Sequence, residues 1–222
     1  MLVKDCMTHS PLTILPETTH RQAAELMREH KVHHLPVVDK SGRLVGIVVE
    51  EDLLAAQPSP ATTLSIYEIH GLLSKLQVRE IMSRPVHTTT PDCPLEEAAR
   101  LMLDEDIGCL PVVANDQVVG IITDTDIFRA LVTMLGGGQS GARFTVQVAD
   151  RPGILARLAQ IVADAGGNIV SVISWRDAAG AAYVTIKEQG ADFARLKPGL
   201  EALDAELTDL QEKPTCPRQT YG

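Results

Sequence analysis

The run Leu35-Pro36-Val37-Val38 returns as Leu110-Pro111-Val112-Val113, 75 residues further along a chain of 222. The same register holds on either side of it. Met7 matches Met82, Thr13 matches Thr88, Pro16 matches Pro91, and Ala23-Ala24-Glu25-Leu26-Met27 matches Ala98-Ala99-Arg100-Leu101-Met102. Residues 3–56 therefore align with 78–130, and such an internal repeat governs every later assignment. The second copy loses one residue where Asp39-Lys40-Ser41-Gly42-Arg43 becomes a shorter turn around Asn115-Asp116-Gln117. Val45-Gly46-Ile47 then realigns with Val119-Gly120-Ile121. A length change confined to a turn between two preserved apolar runs is what a β-hairpin tolerates.

Each copy reads as helix, strand, strand, helix. Thr19 and Gln22 form a capping-box pattern before an apolar face of Ala23, Leu26 and Met27. Residues 35–38 and 44–49 are short β-branched runs separated by a Ser-Gly turn, and a second short helix begins near Asp52. In the second copy Pro94 stands at a helix start, where a missing N–H costs little. Two such units bury their sheets best against each other. Residues 1–57 and 78–135 are thus predicted as two repeats. A breaker, Gln57-Pro58-Ser59-Pro60, and a helix over 63–77 join them within a linker of 58–77. The Gly-rich stretch 136–142 predicts a flexible linker and a domain boundary.

Residues 143–212 predict a third domain. Phe144, Val146 and Val148 alternate as on a strand, and Asp150-Arg151-Pro152-Gly153 opens a helix whose stripe is Ile154, Leu155, Leu158, Ile161, Val162 and Ala165. Gly166-Gly167 stops that helix. Strands follow at 168–175 and 181–187, then a helix over 191–203 containing Pro198, then a strand at 206–211. The order βαββαβ is ferredoxin-like. The tail, 213–222, is polar and predicted to be mobile. The fold class is α/β (α+β).

Composition narrows the function classes. Hydrophobic residues make up 45% and aromatic ones only 3%, so the core is built from Val, Ile, Leu and Ala. Net charge is −9 with no Lys/Arg cluster, which argues against nucleic acid and against a membrane surface as partners. No stretch approaches the roughly 18 apolar residues of a membrane span, and the first residues lack a signal-peptide apolar region. Cys6, Cys93, Cys109 and Cys216 form no CxxC pair and read as free thiols of a reducing cytoplasm. There is no P-loop, GxSxG, HExxH or zinc-type Cys/His spacing, so no catalytic residue and no enzyme is expected.

The repeats resemble CBS domains. The residues that carry the likeness are Met7 and Met82, the two Leu-Pro-Val-Val runs, and above all Gly120-Ile121-Ile122-Thr123-Asp124-Thr125-Asp126. Val148-Ala149-Asp150-Arg151-Pro152-Gly153-Ile154-Leu155 with Gly166-Gly167-Asn168-Ile169 resembles an ACT domain. The order CBS–CBS–ACT, with the stretch Ser65-Ile66-Tyr67-Glu68-Ile69-His70-Gly71, is similar to the acetoin-utilisation B family. The resemblance implies a pseudo-symmetric pair of repeats holding AMP, ADP, ATP or S-adenosylmethionine in a cleft. It also implies a homodimer, control of a partner enzyme, and amino-acid binding by the ACT domain.

Candidate contacts with an adenosine ligand are Thr123, Asp126, Thr88, Pro111, Asp52, His33 and His34. Thr123 and Asp126 stand three apart at a strand-to-helix junction. There the carboxylate can accept from two ribose hydroxyls and the threonine can donate. The same residue types cap helices, and that reading stands beside the first. Asp52 is the first-copy equivalent, with Val49 in place of the threonine and Glu50 and Glu51 beside it, so the first site is expected to be weaker or empty. Neither copy has an arginine before the aspartate: Thr125 and Glu51 stand there. That disfavours di- and triphosphates and favours AMP or an adenosine compound with a cationic group. Thr88 has a competing role as a strand residue. His33 and His34 have one as solvated or structural histidines, and His30 with His34 suggests a metal site only weakly. Asp150, Gly153, Ile154 and Asn168 mark the ACT site, where helix N–H groups can take a carboxylate and Asp150 an ammonium. Helix capping and close packing are the competing roles. Three functions remain open: a ligand sensor, an assembly module without a ligand, and, least supported, an enzyme acting on acetoin or an acyl group.

Overall fold

The computed structural model describes residues 1–57, 71 and 73–214. These form two compact units, Met1–Phe128 and Arg129–Gly222. The linker helix expected over 63–77 falls mostly outside the described residues, as do Cys216 and most of the tail.

In the first unit the opening copy contributes β1 (Thr8–His9), α1 (His20–His30), β2 (His34–Val38), β3 (Leu44–Val49) and α2 (Glu50–Ala55). The second contributes α3 (Leu95–Asp104), β4 (Cys109–Ala114), β5 (Gln117–Thr123) and α4 (Asp124–Met134), the last running past the unit's end. The capping box forms as expected. Thr19 Oγ1 accepts from the Gln22 N–H at 3.3 Å, and the Thr19 N–H donates to Gln22 Oε1 at 3.0 Å. Helix α1 ends at Lys31 in the left-handed region, φ 54°. It buries Ala23 and Met27, while α3 buries Ala98 and Met102, the same stripe 75 positions on. The antiparallel pairs β2–β3 and β4–β5 each shift register at the same place, Val37/Val38 and Val112/Val113. The repeat therefore extends to a backbone irregularity.

The copies do not fold side by side as closed units. They exchange their opening segments. Strand β1 pairs with β5 of the other copy, Thr8 opposite Ile121, and the N–H groups of Val3 and Lys4 donate to the carbonyls of Cys93 and Pro91, each at 2.9 Å. Reciprocally, the Val78 N–H donates to Thr18 at 2.8 Å, and Ser83 bridges Ile47. Val78, fully buried, completes the first copy's core with Ile14, Leu35, Val37, Val48 and Leu53. Gly46 and Gly120 make room for this exchange. A Cβ on Gly46 would lie 2.3 Å from Met82 Sδ, and one on Gly120 would lie 2.4 Å from Met7 Sδ. The two sheets meet through Ile47, Cys109 and Ile121.

The second unit contains β6 (Ala142–Val148), α5 (Ile154–Asp164), β7 (Asn168–Arg176), β8 (Ala182–Gln189), α6 (Phe193–Glu201) and β9 (Glu206–Gln211). The antiparallel sheet has the order β7-β8-β6-β9, the ferredoxin-like arrangement. Its helix-facing side packs Phe144, Val146, Val184 and Ile186 against Leu158, Val162, Leu196 and Leu200. Helix α6 is shorter than expected at both ends. It begins after Asp192, whose side chain caps the Ala194 N–H at 2.9 Å, and it holds Pro198 within it.

The Gly-rich stretch differs from the expected free linker. Lys187 Nζ donates to the Gly136 carbonyl at 2.5 Å, Gln189 Nε2 to the Ser140 carbonyl at 2.7 Å, and Ser171 Oγ to the Leu135 carbonyl at 3.3 Å. Lys187 is buried, and a buried ammonium must find acceptors. The glycine carbonyls supply one. Among the described residues no helix is long and apolar enough to cross a membrane.

Candidate functional site

Strand β5 ends at Thr123, directly opposite Cys109, and the chain turns at once into α4. This junction brings Thr123 and Asp126 together. Asp126 Oδ2 accepts from the Thr123 N–H at 3.0 Å and from Thr123 Oγ1 at 2.8 Å. The capping role weighed for these residues is thus realised, and both contacts fall on one carboxylate oxygen. Both residues are half-buried.

The first-copy junction is the same device without the hydroxyl. Asp52 Oδ2 accepts from the Val49 N–H at 2.9 Å, and Val49 can donate nothing further. Glu50 and Glu51 stand beside it, and Asp124 stands at the corresponding place in the second copy. Both junctions are therefore acidic.

The two histidines part company. His33 is exposed, with Nδ1 2.6 Å from Glu50 Oε2, and it lines a first-copy cavity of about 490 Å³ between α1 and α2. His34 points the other way. A Cβ built on Gly108 would lie 3.7 Å from His34 Nε2 and 3.8 Å from Asp124 Oδ2, so this side chain reaches the start of α4. Burial lowers the His34 pKa, against the opposing pull of Glu51 and Asp124. Among the described residues no group of three His, Cys, Asp or Glu side chains is placed to hold a metal ion.

Thr88 and Pro111 lie on or beside β4. Thr88 is exposed on a separate recess of about 520 Å³, beside Leu44, Val45, Val86 and Val113. Thr89 pairs in parallel with Val112, which sets Thr88 beside Pro111, two residues along β4 from Cys109. Pro111 is buried within β4, opposite Ile121, and its carbonyl is taken by the Thr89 N–H at 3.0 Å. It shapes the strand.

Cys6 is the residue that reading the repeats one at a time misses. Burial raises its thiol pKa, and the charges of Asp5 and, least, Asp126 add to the rise. It lies on the exchanged opening segment. No pattern within one copy signals that exchange.

In the second unit a cavity of about 850 Å³ opens where β6 runs into α5. Asp150, Gly153 and Ile154 line it, as expected. Gly153 sits at φ 86° with nothing within 4 Å of a built Cβ, and Ile154 is buried. Asn168 does not belong to this cavity. It opens β7, whereas the cavity is lined by the end of that strand, Ser174, Trp175 and Arg176. Eight residues of extended chain separate Asn168 from Arg176, about 26 Å. Trp175, Arg176 and Tyr183 are residues the sequence reading did not select. Arg176 ion-pairs with Asp150, and the Trp175 and Tyr183 rings stack at 4.5 Å with 15° between their planes.

The profile of the CBS domain matches residues 3–59 and 78–133, and that of the ACT domain matches residues 142–205. The chain is similar to a putative acetoin utilization protein, AcuB, from Vibrio cholerae. That match has 38% identity and a TM-score of 0.52, and it covers 61% of this chain and 93% of that one. It is also similar to the CBS domain pair of protein MJ0100, solved in complex with 5′-methylthioadenosine and S-adenosyl-L-methionine. Here identity is 33% and the TM-score 0.51, over 63% of this chain and 98% of that one. An uncharacterized protein of Methanocaldococcus jannaschii is 34% identical over 155 residues, 60% of this chain and 92% of that protein. The exchanged pair of repeats, the Thr123–Asp126 junction and the ferredoxin-like sheet thus converge with these matches: the chain belongs to the CBS-domain family, as a tandem CBS pair followed by a C-terminal ACT domain.

Proposed function

We propose that this chain is a non-catalytic sensor whose CBS pair binds an adenosine-containing ligand at the Thr123–Asp126 junction. The observation that carries the reading is the asymmetry of the two junctions. Both aspartates cap a helix, but only the second copy adds a hydroxyl donor, Thr123 Oγ1, within 2.8 Å of its carboxylate. Asp126 would accept from the ribose hydroxyls, and His34, whose pKa burial lowers, faces the same helix start. The local charge selects among adenosine compounds. Glu50, Glu51, Asp52, Asp124 and Asp126 repel phosphates and attract a cation. S-adenosylmethionine, which carries a sulfonium, is favoured over AMP, ADP and ATP. The complex of the related CBS pair supports the same class.

Binding regulates only if the ligand has different affinities for two arrangements of the protein. The ACT cavity offers a second input, an amino acid, and the regulated partner is an enzyme. Titration calorimetry of the full chain with S-adenosylmethionine, 5′-methylthioadenosine, AMP and ATP tests the first step. Heat with the first two that exceeds that with ATP is expected. No heat with any of the four would sink the reading.

A second reading is an assembly module. Leu54, Leu103 and Phe128 are 59%, 82% and 65% exposed on α2, α3 and α4, large apolar surfaces of the kind that copies of a chain cover for one another. It predicts a homodimer whose sedimentation is indifferent to adenosine ligands.

A further inference from the structure

Helix α4 starts at the Thr123–Asp126 junction in the first unit, and from Arg129 onward it belongs to the second. It has eleven residues, about 16 Å at 1.5 Å per residue. A helix of that length is marginal by itself and gains its stability from a buried face. Of the residues of α4 only Ala130 is buried, while Phe128, Leu131, Val132 and Met134 are 65%, 43%, 56% and 45% exposed. Helix α4 is therefore held mainly by its two ends. Helix order is cooperative over so short a length, so an anchor at one end supports the other.

The far end is seated on the ACT sheet. It closes in a Schellman motif: the Gly137 N–H donates to the Val132 carbonyl at 2.7 Å and the Gly136 N–H to that of Thr133 at 3.1 Å, with Gly136 at φ 65°. Two side chains of the sheet take the next carbonyls, Ser171 Oγ that of Leu135 and Lys187 Nζ that of Gly136. The Lys187 ammonium thus stands at the negative end of the helix dipole, where a cation is favoured. The strand is shaped for this contact. Ile169 pairs with Glu188 and Ser171 with Lys187, so Val170 is the extra residue of a β-bulge, a device that re-aims a side chain. Val170 closes on Gly136, where a built Cβ would lie 2.5 Å from its Cγ1. The first junction is anchored differently. Its helix α2 has six residues, and the Leu53 carbonyl near the end lies 2.8 Å from His20 Nε2 of the same copy. We propose that the ACT unit sets the ligand affinity of the Thr123–Asp126 junction through α4, with Lys187 as the positioning residue that seats the far end, a regulation that rests on the sensor reading of that junction. Seating keeps the last turn helical, which steadies the first turn and the Asp126 carboxylate it carries. The coupling is reciprocal, so a ligand at the junction tightens the seat by the same factor.

Amide hydrogen exchange of the full chain, resolved by residue with NMR, tests the coupling without a ligand. Each end is disturbed and the other is observed. Lys187→Met removes the donor at similar length, and it should speed exchange of the Phe128–Ala130 amides at least about fivefold, the low end of ordinary coupling. Asp126→Ala should do the same to Gly136 and Gly137. Gly136→Ala crowds Val170 without changing a charge and should repeat the effect of Lys187→Met, so the answer does not hang on one buried substitution. Exchange in α2 and α3 should stay unchanged. By calorimetry, S-adenosylmethionine should bind Lys187→Met at least about fivefold more weakly than wild type. Acceleration confined to the disturbed end would overturn the coupling and leave the sensor reading standing. Acceleration of α3 by the same factor would assign the effect to the whole unit and overturn it too. Equal affinity of wild type and Lys187→Met for S-adenosylmethionine overturns the control of affinity alone. A wild-type chain that binds none of S-adenosylmethionine, 5′-methylthioadenosine, AMP and ATP sinks the sensor reading and this regulation with it.

Discussion

Replacing Asp126 with alanine separates two jobs of one carboxylate. As a cap it satisfies the Thr123 N–H at 3.0 Å, and Asp52 does the same for Val49 at 2.9 Å. Loss of either cap should cost about 1 kcal/mol. For a unit of this size that lowers the Tm by about 4 °C. As a ligand residue Asp126 has no equal, because the Asp52 junction lacks the hydroxyl. S-adenosylmethionine at about 100 times its Kd should stabilise the wild-type chain by roughly 2.7 kcal/mol, and so raise the Tm by about 11 °C. The three proteins are melted by scanning fluorimetry with and without ligand. Both variants should start lower by similar amounts, but only Asp126→Ala should lose the ligand-dependent rise. If Asp126→Ala keeps the full rise while Asp52→Ala loses it, the asymmetry argument fails, even though both caps are still seen to matter.

The exchange of opening segments predicts that Gly46→Ala costs about 1–3 kcal/mol by overpacking. The new Cβ would meet Met82 close to its own backbone, with Cγ at 2.9 Å and Cβ at 3.3 Å. Gly120→Ala should cost less, because Met7 presents its mobile end, with Cε and Cγ at 3.1 Å. Met82→Ala in the Gly46→Ala background should recover part of the loss in guanidinium denaturation, and strictly additive effects would contradict the exchange. His34 supplies a pH dependence. Burial holds its folded pKa below the ordinary 6.5, so as pH falls the unfolded chain takes up the proton first. Stability present above that value is lost as pH drops toward the folded pKa. The difference in urea midpoint between wild type and His34→Gln should therefore shift steadily against wild type on acidification, and a constant difference would refute the burial argument. The Cys109 thiol is pushed up to about 12, by burial first and then by the charge of Asp124. Iodoacetamide at mildly alkaline pH should alkylate Cys93 well before Cys109 in the native protein, as read by peptide mass analysis. Equal rates would show Cys109 to be accessible.

The sequence by itself determined the local and the periodic. The 75-residue repeat, the hairpin that absorbs one deletion, the Thr19–Gln22 cap and the βαββαβ order follow from rules that act within a few residues, and each appears where those rules place it. Asp126 capping its own helix is equally local, since its partner is three residues away. What the sequence left undecided is what lies far apart along the chain. The exchange of β1 and of the segment around Val78 between copies depends on which copy's sheet edge each segment pairs with, and two repeats of the same pattern carry no local mark of that choice. Asn168 lies away from the cavity that Trp175 and Arg176 line, because a strand of nine residues carries its two ends to opposite edges of a sheet. Only the folded sheet shows which end meets the β6–α5 loop. Side-chain period and capping are set by bonded neighbours, whereas a site is assembled from ends of elements that tertiary packing alone brings together.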